Sequence, residues 1–208
     1  MGDNLKGIFI VFEGIDGTGK STQLGLLGKA LQERGCPVLI TREPGGTRLG
    51  EAIRGLLLDP AYTEMVEQAE AFLYAAARAQ CVREVIVPAL QKGYYVLCDR
   101  YADSTLAYQG FGRGLDLEFL RRVNDLATGG VYPDLTVVLD LDVELAARRM
   151  IGARDRMELQ QKAFYHRVRQ GYLELAARCP EAYQVLDAAA DPAELAAAIL
   201  ARVEGLRP

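Results

Sequence analysis

Histidine occurs once in the 208-residue chain, at His166, and cysteine four times, at Cys36, Cys81, Cys98 and Cys179, with no C-x-x-C spacing among them. A zinc site has no ligand set to draw on, so the cysteines read as reduced, mostly packed thiols. Positive charge is also in short supply. Lys and Arg number 24 against 28 Asp and Glu, a formal net charge of −4, which gives no general basic field for nucleic acid. Any phosphate site must therefore be a local cluster of Arg and Lys. No apolar run is long enough to span a bilayer, and Met1-Gly2-Asp3-Asn4-Leu5-Lys6 lacks a signal-peptide core. A cytoplasmic protein with no membrane partner is the expectation. Linkers, repeats and low-complexity blocks are missing too, so residues 1–208, half of them hydrophobic, are expected to form one domain.

What the chain does have is a loop rich in glycine. Gly14-Ile15-Asp16-Gly17-Thr18-Gly19-Lys20-Ser21, followed by Thr22, satisfies G-x-x-x-x-G-K-[ST]. It follows the β-branched and aromatic run Ile8–Phe12 and opens a segment with Leu24, Leu27, Ala30 and Leu31 at helical spacing. That strand-then-helix context is what a phosphate-cradling loop requires. Backbone N–H groups and the positive end of the helix face an anion, Lys20 reaches the outer phosphates of a nucleotide such as ATP, and Ser21 holds Mg²⁺.

The rest of the chain alternates strand-like and helix-like segments, which predicts an α/β fold: a five-stranded parallel sheet with helices on both faces. Strands are expected near 7–13, 37–41, 94–99, 134–140 and 183–187, with the second short and buried. Helices are expected near 20–35, through Leu49 to Leu57, over 63–92 with Pro88 loosening the last turns, over 160–177 with His166 on its surface, and over 192–203. The run Arg148-Arg149-Met150-Ile151-Gly152-Ala153-Arg154-Asp155-Arg156 reads as a mobile lid spanning about 148–157.

Ligands of doubly wound sheets collect at the carboxyl ends of the strands. The loops there carry Asp16 with Lys20, Arg42 with Glu43, and Asp99 with Arg100. Asp99 is read as a second holder of Mg²⁺, with a helix N-cap as the alternative. Arg100 has the fork for bidentate phosphate binding, with a surface salt bridge as the alternative.

Four pieces together make the chain resemble the bacterial thymidylate kinase family, P-loop enzymes that pass the γ-phosphoryl of ATP to dTMP. They are Glu13-Gly14-x-Asp16-Gly17-x-Gly19-Lys20-Ser21-Thr22, Thr41-Arg42-Glu43-Pro44-Gly45-Gly46-Thr47, Asp99-Arg100-Tyr101-x-x-Ser104-x-x-Ala107-Tyr108-Gln109-Gly110, and Asp155-Arg156-x-Glu158. The resemblance implies a P-loop kinase fold, a homodimer built along the Ala-rich long helix, and an acceptor site that includes Arg42 and Pro44. In it, Asp16 contacts the acceptor nucleotide near its sugar and Arg100 grips its phosphate. Tyr74, where the family usually has Phe, stacks on thymine while Arg78 hydrogen-bonds its edge. Ser104 and Thr105 reach the pyrimidine's polar edge, and Tyr108, beside Gln109, lies where a ribose 2′-hydroxyl would project.

Some members of the family carry an arginine inside the phosphate loop, where this chain has Gly17 and Thr18. Arg149, Arg154 and Arg156 are the expected replacement, closing over the phosphates. Two rival readings remain. A GTPase-like module would show a guanine-reading Asn-Lys-x-Asp segment, which is missing. A deoxynucleoside kinase would need a general base, for which Glu13 is the placed candidate.

Overall fold

The computed structural model describes residues 6–150 and 155–206. Strands β1 (Ile8–Glu13), β2 (Val38–Arg42), β3 (Tyr95–Asp99), β4 (Leu135–Asp140) and β5 (Tyr183–Asp187) form one sheet in the order β2-β3-β1-β4-β5, with every neighbouring pair parallel. Parallel strands at the centre of a sheet are buried on both faces, which is why β1 and β3 read as continuous apolar runs. From β1, Ile10 and Phe12 enter one core cluster, while Phe9 and Val11 enter another on the opposite face.

Helices cover both faces. On one lie α1 (Lys20–Glu33), α8 (Lys162–Arg178) and α9 (Pro192–Glu204), contributing Leu24, Leu27, Val168, Tyr172, Ile199 and Val203 to the core. On the other lie α3 (Glu67–Cys81) and α4 (Val87–Gln91), with Cys81 and Leu90. A wider π-helical turn, Val82–Ile86, joins α3 to α4. It lies just ahead of Pro88, whose missing N–H and bulky ring do not fit a regular α-helical turn.

The remaining helices are α2 (Arg48–Leu58), the short α5 (Ala102–Thr105), α6 (Leu117–Thr128) and α7 (Val143–Arg149). A second π-helical stretch, Leu106–Gly112, continues α5. Among the described residues no helix is long and apolar enough to cross a membrane.

Two features depart from the sequence pattern. β2 is an edge strand rather than a buried one, and Ile40 on it is 52% exposed. The helical stretch 102–112 and the helix α6 are not among the expected helices. The first carries Gly110 and Gly112, and the second turns the polar Asn124 into the interior.

The register of the sheet sets the site. Phe12 pairs with Asp99, Arg42 with Asp99, and Glu13 with Val138, so β1, β2 and β3 end flush and their following loops share one edge.

The crossing of α8 over the 106–112 stretch holds that edge from below, and it is built on missing side chains. A Cβ at Gly171 would lie 2.6 Å from the Phe111 ring, and one at Gly112 would lie 2.5 Å from the Phe164 ring. Gly171→Ala should therefore destabilise the fold by about 1–3 kcal/mol through overpacking, read as a lower urea midpoint with an unchanged slope.

Candidate active site

Gly14 and Gly17 bend the loop after β1 with φ of 133° and 84°. Neither tolerates a side chain. A Cβ at Gly14 would meet the Leu139 carbonyl oxygen at 2.5 Å, and one at Gly17 the Ala146 carbonyl oxygen at 2.4 Å. The loop runs into α1 at Gly19, in a left-handed conformation, with no side chain capping the first turn. The N–H groups of that turn are thus left to the cavity, the arrangement that attracts anions.

Lys20 Nζ folds back onto the loop and donates to the carbonyls of Gly14 at 3.1 Å and Ile15 at 2.9 Å. Burial first, and then the nearby charge of Arg100, lower its ammonium to about 8.

A cavity of about 840 Å³ opens beside this loop. Residues 16–23 wall it on one side, and Arg42, Glu43, Pro44 and Arg54 on another. Tyr74, Arg78, Asp99, Arg100, Ser104, Thr105, Tyr108 and Gln109 also reach its lining. The residues picked from separate motifs thus converge on one space.

Arg100 stands at its centre, with φ of 70°, the one non-glycine residue in the left-handed region among those described. That turn swings its side chain off the end of β3 and into the cavity. Such a conformation costs on the order of 1 kcal/mol for a non-glycine residue and persists where its surroundings hold it. Nη2 donates to Asp16 Oδ1 at 2.6 Å and to the Tyr108 hydroxyl at 3.1 Å, while Nη1 donates to Ser104 Oγ at 3.3 Å and the Tyr172 hydroxyl at 3.1 Å. Its guanidinium carbon also lies 5.0 Å from the centroid of the Tyr108 ring. Burial by itself would raise Asp16; the charges of Arg100 and then Lys20 outweigh it and hold the carboxyl at about 2.

Arg78 is fully buried and splayed across four partners: Glu43 Oε2 at 2.7 Å, Thr105 Oγ1 at 2.9 Å, Asn124 Oδ1 at 2.7 Å and the Tyr101 carbonyl at 2.9 Å. It ties the loop after β2 to α3, α5 and α6 behind one wall. Tyr74, one helical turn earlier, is half-buried beside Ile53, Leu57 and Ala77, and burial raises its phenol above the ordinary range. Gln109 is buried, with Nε2 donating to Glu70 at 2.8 Å.

Ser21 and Asp99 come together, Ser21 Oγ donating to Asp99 Oδ2 at 3.2 Å. Asp99 does not cap the following helix. Oε1 of Glu13, reaching over from β1, accepts from the backbone N–H groups of Tyr101 at 2.8 Å and Ser104 at 3.2 Å instead.

Arg42 faces solvent and pairs with Glu51 at 3.0 Å, and the carbonyl of Pro44 accepts from Arg54 at 3.1 Å. His166 lies on the outer surface, 3.6 Å from Glu144.

Of the lid arginines, Arg149 lines the cavity and donates to the Ala188 carbonyl at 3.0 Å. Arg154 lies outside the described residues. Arg156 departs from the expected closure over the phosphates: Nε donates to the Leu57 carbonyl at 2.7 Å, and Nη2 pairs with Glu70 at 2.6 Å. The reason is Glu70 itself, a buried carboxylate on α3 that also draws Arg113 at 3.2 Å. Arg113, Glu70 and Tyr172 carry no local motif, so sequence spacing gave no signal for them.

Compared with known proteins, residues 12–199 match the sequence model described as Thymidylate kinase. The thymidylate kinase of Pelotomaculum thermopropionicum is 59% identical over 187 residues, covering 88% of this chain and 87% of the relative. That of Desulforudis audaxviator is 56% identical over 204 residues, covering 97% and 92%. Among solved structures, the crystal structure of thymidylate kinase from Ehrlichia chaffeensis superposes with a TM-score of 0.73 at 37% identity, covering 86% of this chain and 92% of that one.

Glu13 supplies a pH signature. Burial first, and the neighbouring charge of Asp103 second, raise its carboxyl from 4.5 to about 7. The folded protein holds this proton more tightly than the unfolded chain, so the stability it contributes is fully present below about pH 4.5 and is lost as pH rises through 7. Between pH 5 and pH 8, wild type should lose on the order of 1 kcal/mol or more of unfolding free energy relative to Glu13→Gln, measured by urea denaturation.

Proposed function

The chain belongs to the thymidylate kinase family, and from that premise we propose how its residues divide the transfer of the γ-phosphoryl group of ATP to dTMP, giving ADP and dTDP. One observation carries the division: Arg100, turned off the strand end and fixed by Asp16, faces the same cavity as Lys20 and the phosphate loop. One cationic group thereby serves the acceptor phosphate while the loop and Lys20 serve the donor.

Residues 14–22 take the ATP phosphates on backbone N–H groups and on Lys20, whose bonds to the Gly14 and Ile15 carbonyls are exchanged for phosphate oxygens. Arg100 takes the phosphate of dTMP, with Asp16 beside its sugar. Tyr74 stacks on the thymine ring, and Arg78, immobilised by Glu43, Thr105 and Asn124, meets its polar edge. Thr105 therefore acts on the base through Arg78. Arg42, Pro44, Ser104 and Gln109 complete the acceptor wall, and the bulk of Tyr108 favours deoxyribose. A pocket for one methyl group discriminates by only about 1–3 kcal/mol, so dUMP is a poorer substrate rather than an excluded one.

No general base is required. The second pKa of a phosphate monoester is near 6, so the attacking oxygen is already ionised at neutral pH. This also weighs against a deoxynucleoside kinase, since Glu13 is fully buried and its two oxygens are taken up by Tyr101, Ser104 and Tyr172.

Ser21 and Asp99 are the proposed holders of Mg²⁺. They fit: Asp99 Oδ1 is buried with no hydrogen-bond partner, and Ser21 Oγ is beside the other oxygen. Among the described residues no group of three or more His, Cys, Asp or Glu forms a metal site by itself, consistent with a cation shared with phosphate oxygens and water. When bound, Mg²⁺ would neutralise negative charge on the phosphates. Arg149 and Arg154 supply lid charge, and Arg156 anchors the lid's far end on Glu70.

A homodimer is the proposed assembly. Phe72 of α3 is 52% exposed, and Leu49 and Leu56 of the adjacent α2 are also exposed, which supports a face along these helices. Both substrates are cytoplasmic metabolites, which supports that compartment.

In an ADP-release assay with ATP and Mg²⁺, dTMP should be the best acceptor, dUMP weaker, and thymidine, dCMP and AMP near background; thymidine as the preferred acceptor would replace this reading with that of a nucleoside kinase. Arg154→Ala should lower kcat by at least ~10²-fold with a smaller effect on nucleotide binding, whereas Arg156→Ala should show itself first as lost stability. Wild-type turnover in Arg154→Ala would take that residue out of the reaction.

A further inference from the structure

Below Arg100, out of the cavity lining, sits the Glu13 carboxylate with hydrogen bonds to both of its oxygens. Oε1 takes the N–H groups of Tyr101 and Ser104, and Oε2 takes the hydroxyls of Ser104 at 2.6 Å and Tyr172 at 2.8 Å. Each of those hydroxyls carries a single proton. The two hydroxyls also lie 2.8 Å from each other, so at least one proton goes to Glu13 and the other goes there or to the neighbouring hydroxyl; either way each keeps a lone pair for Nη1 of Arg100. A guanidinium donates only, so it is held here only while both hydroxyls accept. The direction of two hydroxyl protons is thus set by a carboxylate that never reaches the cavity.

We propose that Glu13, acting through Ser104 and Tyr172, is a positioning residue that presents Arg100 to the phosphate of the acceptor nucleotide. The proposal rests on the reading that Arg100 grips that phosphate. Asp16 fixes one nitrogen of the fork directly, and Glu13 fixes the other through two hydroxyls, so the guanidinium plane is set at two points rather than one. The strands place Glu13 for this task. It is the last residue of β1, while Arg100 follows the last residue of β3, and Phe12 pairs with Asp99. The carboxylate therefore reaches under the turn that carries the arginine.

Replacing Glu13 by Gln keeps the shape and reverses the logic. If the amide oxygen keeps the two backbone N–H groups, the amide NH₂ points at the hydroxyls. They must then accept from it, and they turn their protons toward Arg100.

The test separates phosphate from nucleoside. Calorimetric titration at pH 8, where Glu13 is a carboxylate, of dTMP and of thymidine into wild type, Glu13→Gln, Tyr172→Phe and Arg100→Met gives, for each protein, the ratio of the two affinities. In Glu13→Gln and in Tyr172→Phe the ratio should fall about tenfold, carried by weaker dTMP binding with thymidine unchanged, and the steady-state KM for dTMP should rise in parallel. An unchanged ratio in both variants, or an equal loss for dTMP and thymidine, would overturn the proposal, the second result marking a merely structural role. Arg100→Met distinguishes the two levels. If it leaves the ratio intact, the assignment of Arg100 to the acceptor phosphate is what fails; if it collapses the ratio while the other two do not, only the role of Glu13 fails. Should Glu13→Gln not fold, Tyr172→Phe, which removes one acceptor and keeps the ring, decides the matter.

Discussion

A guanidinium held still in a partly dry cavity is the constraint on which this structure turns. A free arginine side chain samples many rotamers, and ordering it costs up to about 2 kcal/mol. Here the cost is offset in the fold, before any ligand arrives, by Asp16, Tyr108, Ser104 and Tyr172, which come from three separate segments brought together by the parallel sheet. The flush ends of β1 and β3 make this possible, because a shift of one residue in either strand would turn Glu13 or Asp99 to the wrong face.

The same logic recurs deeper in the wall. Arg78 is buried with Glu43, and Arg156 with Glu70, each pair surrounded by further hydrogen bonds. Buried ion pairs of this kind add little net stability, since desolvation offsets most of the attraction. What they do is fix position. Arg78 links one wall of the cavity to three other elements, and Glu70 joins α3, which carries Tyr74, to the turn that carries Arg156.

The sheet and most helices were legible because their signals are local. Apolar runs ending in an acid marked β1, β3, β4 and β5, and the glycine-rich loop announced the start of α1. α6 carries its own local signals, with Asp116 capping its first turn, Leu117, Leu120, Val123 and Ala127 at helical spacing and Gly129 ending it at φ of 62°, although Asn124 also faces inward. The phosphate loop, Arg100 and Asp99 could be picked because charge at a strand end in such a sheet has few other uses. Tyr172, Glu70 and Arg113 could not. Their partners lie 39 to 159 residues away in the chain, and nothing in the spacing of a tyrosine on α8 says that its hydroxyl meets a glutamate on β1. Arg156 is the converse case: composition suggested a group free to close over phosphates, and in this structure its guanidinium lies against a carboxylate distant in sequence.

The tyrosines around Arg100 have one more consequence. The rings of Tyr165 and Tyr172 lie edge-on to that of Tyr108 at 6.5 and 6.4 Å, and two of the three hydroxyls bond directly to the guanidinium. The chain has no tryptophan, so its near-ultraviolet emission comes from its ten tyrosines. Any rearrangement of the arginine alters the surroundings of three of those fluorophores at once, which makes the protein's own light output an unlabelled gauge of what happens at that side chain.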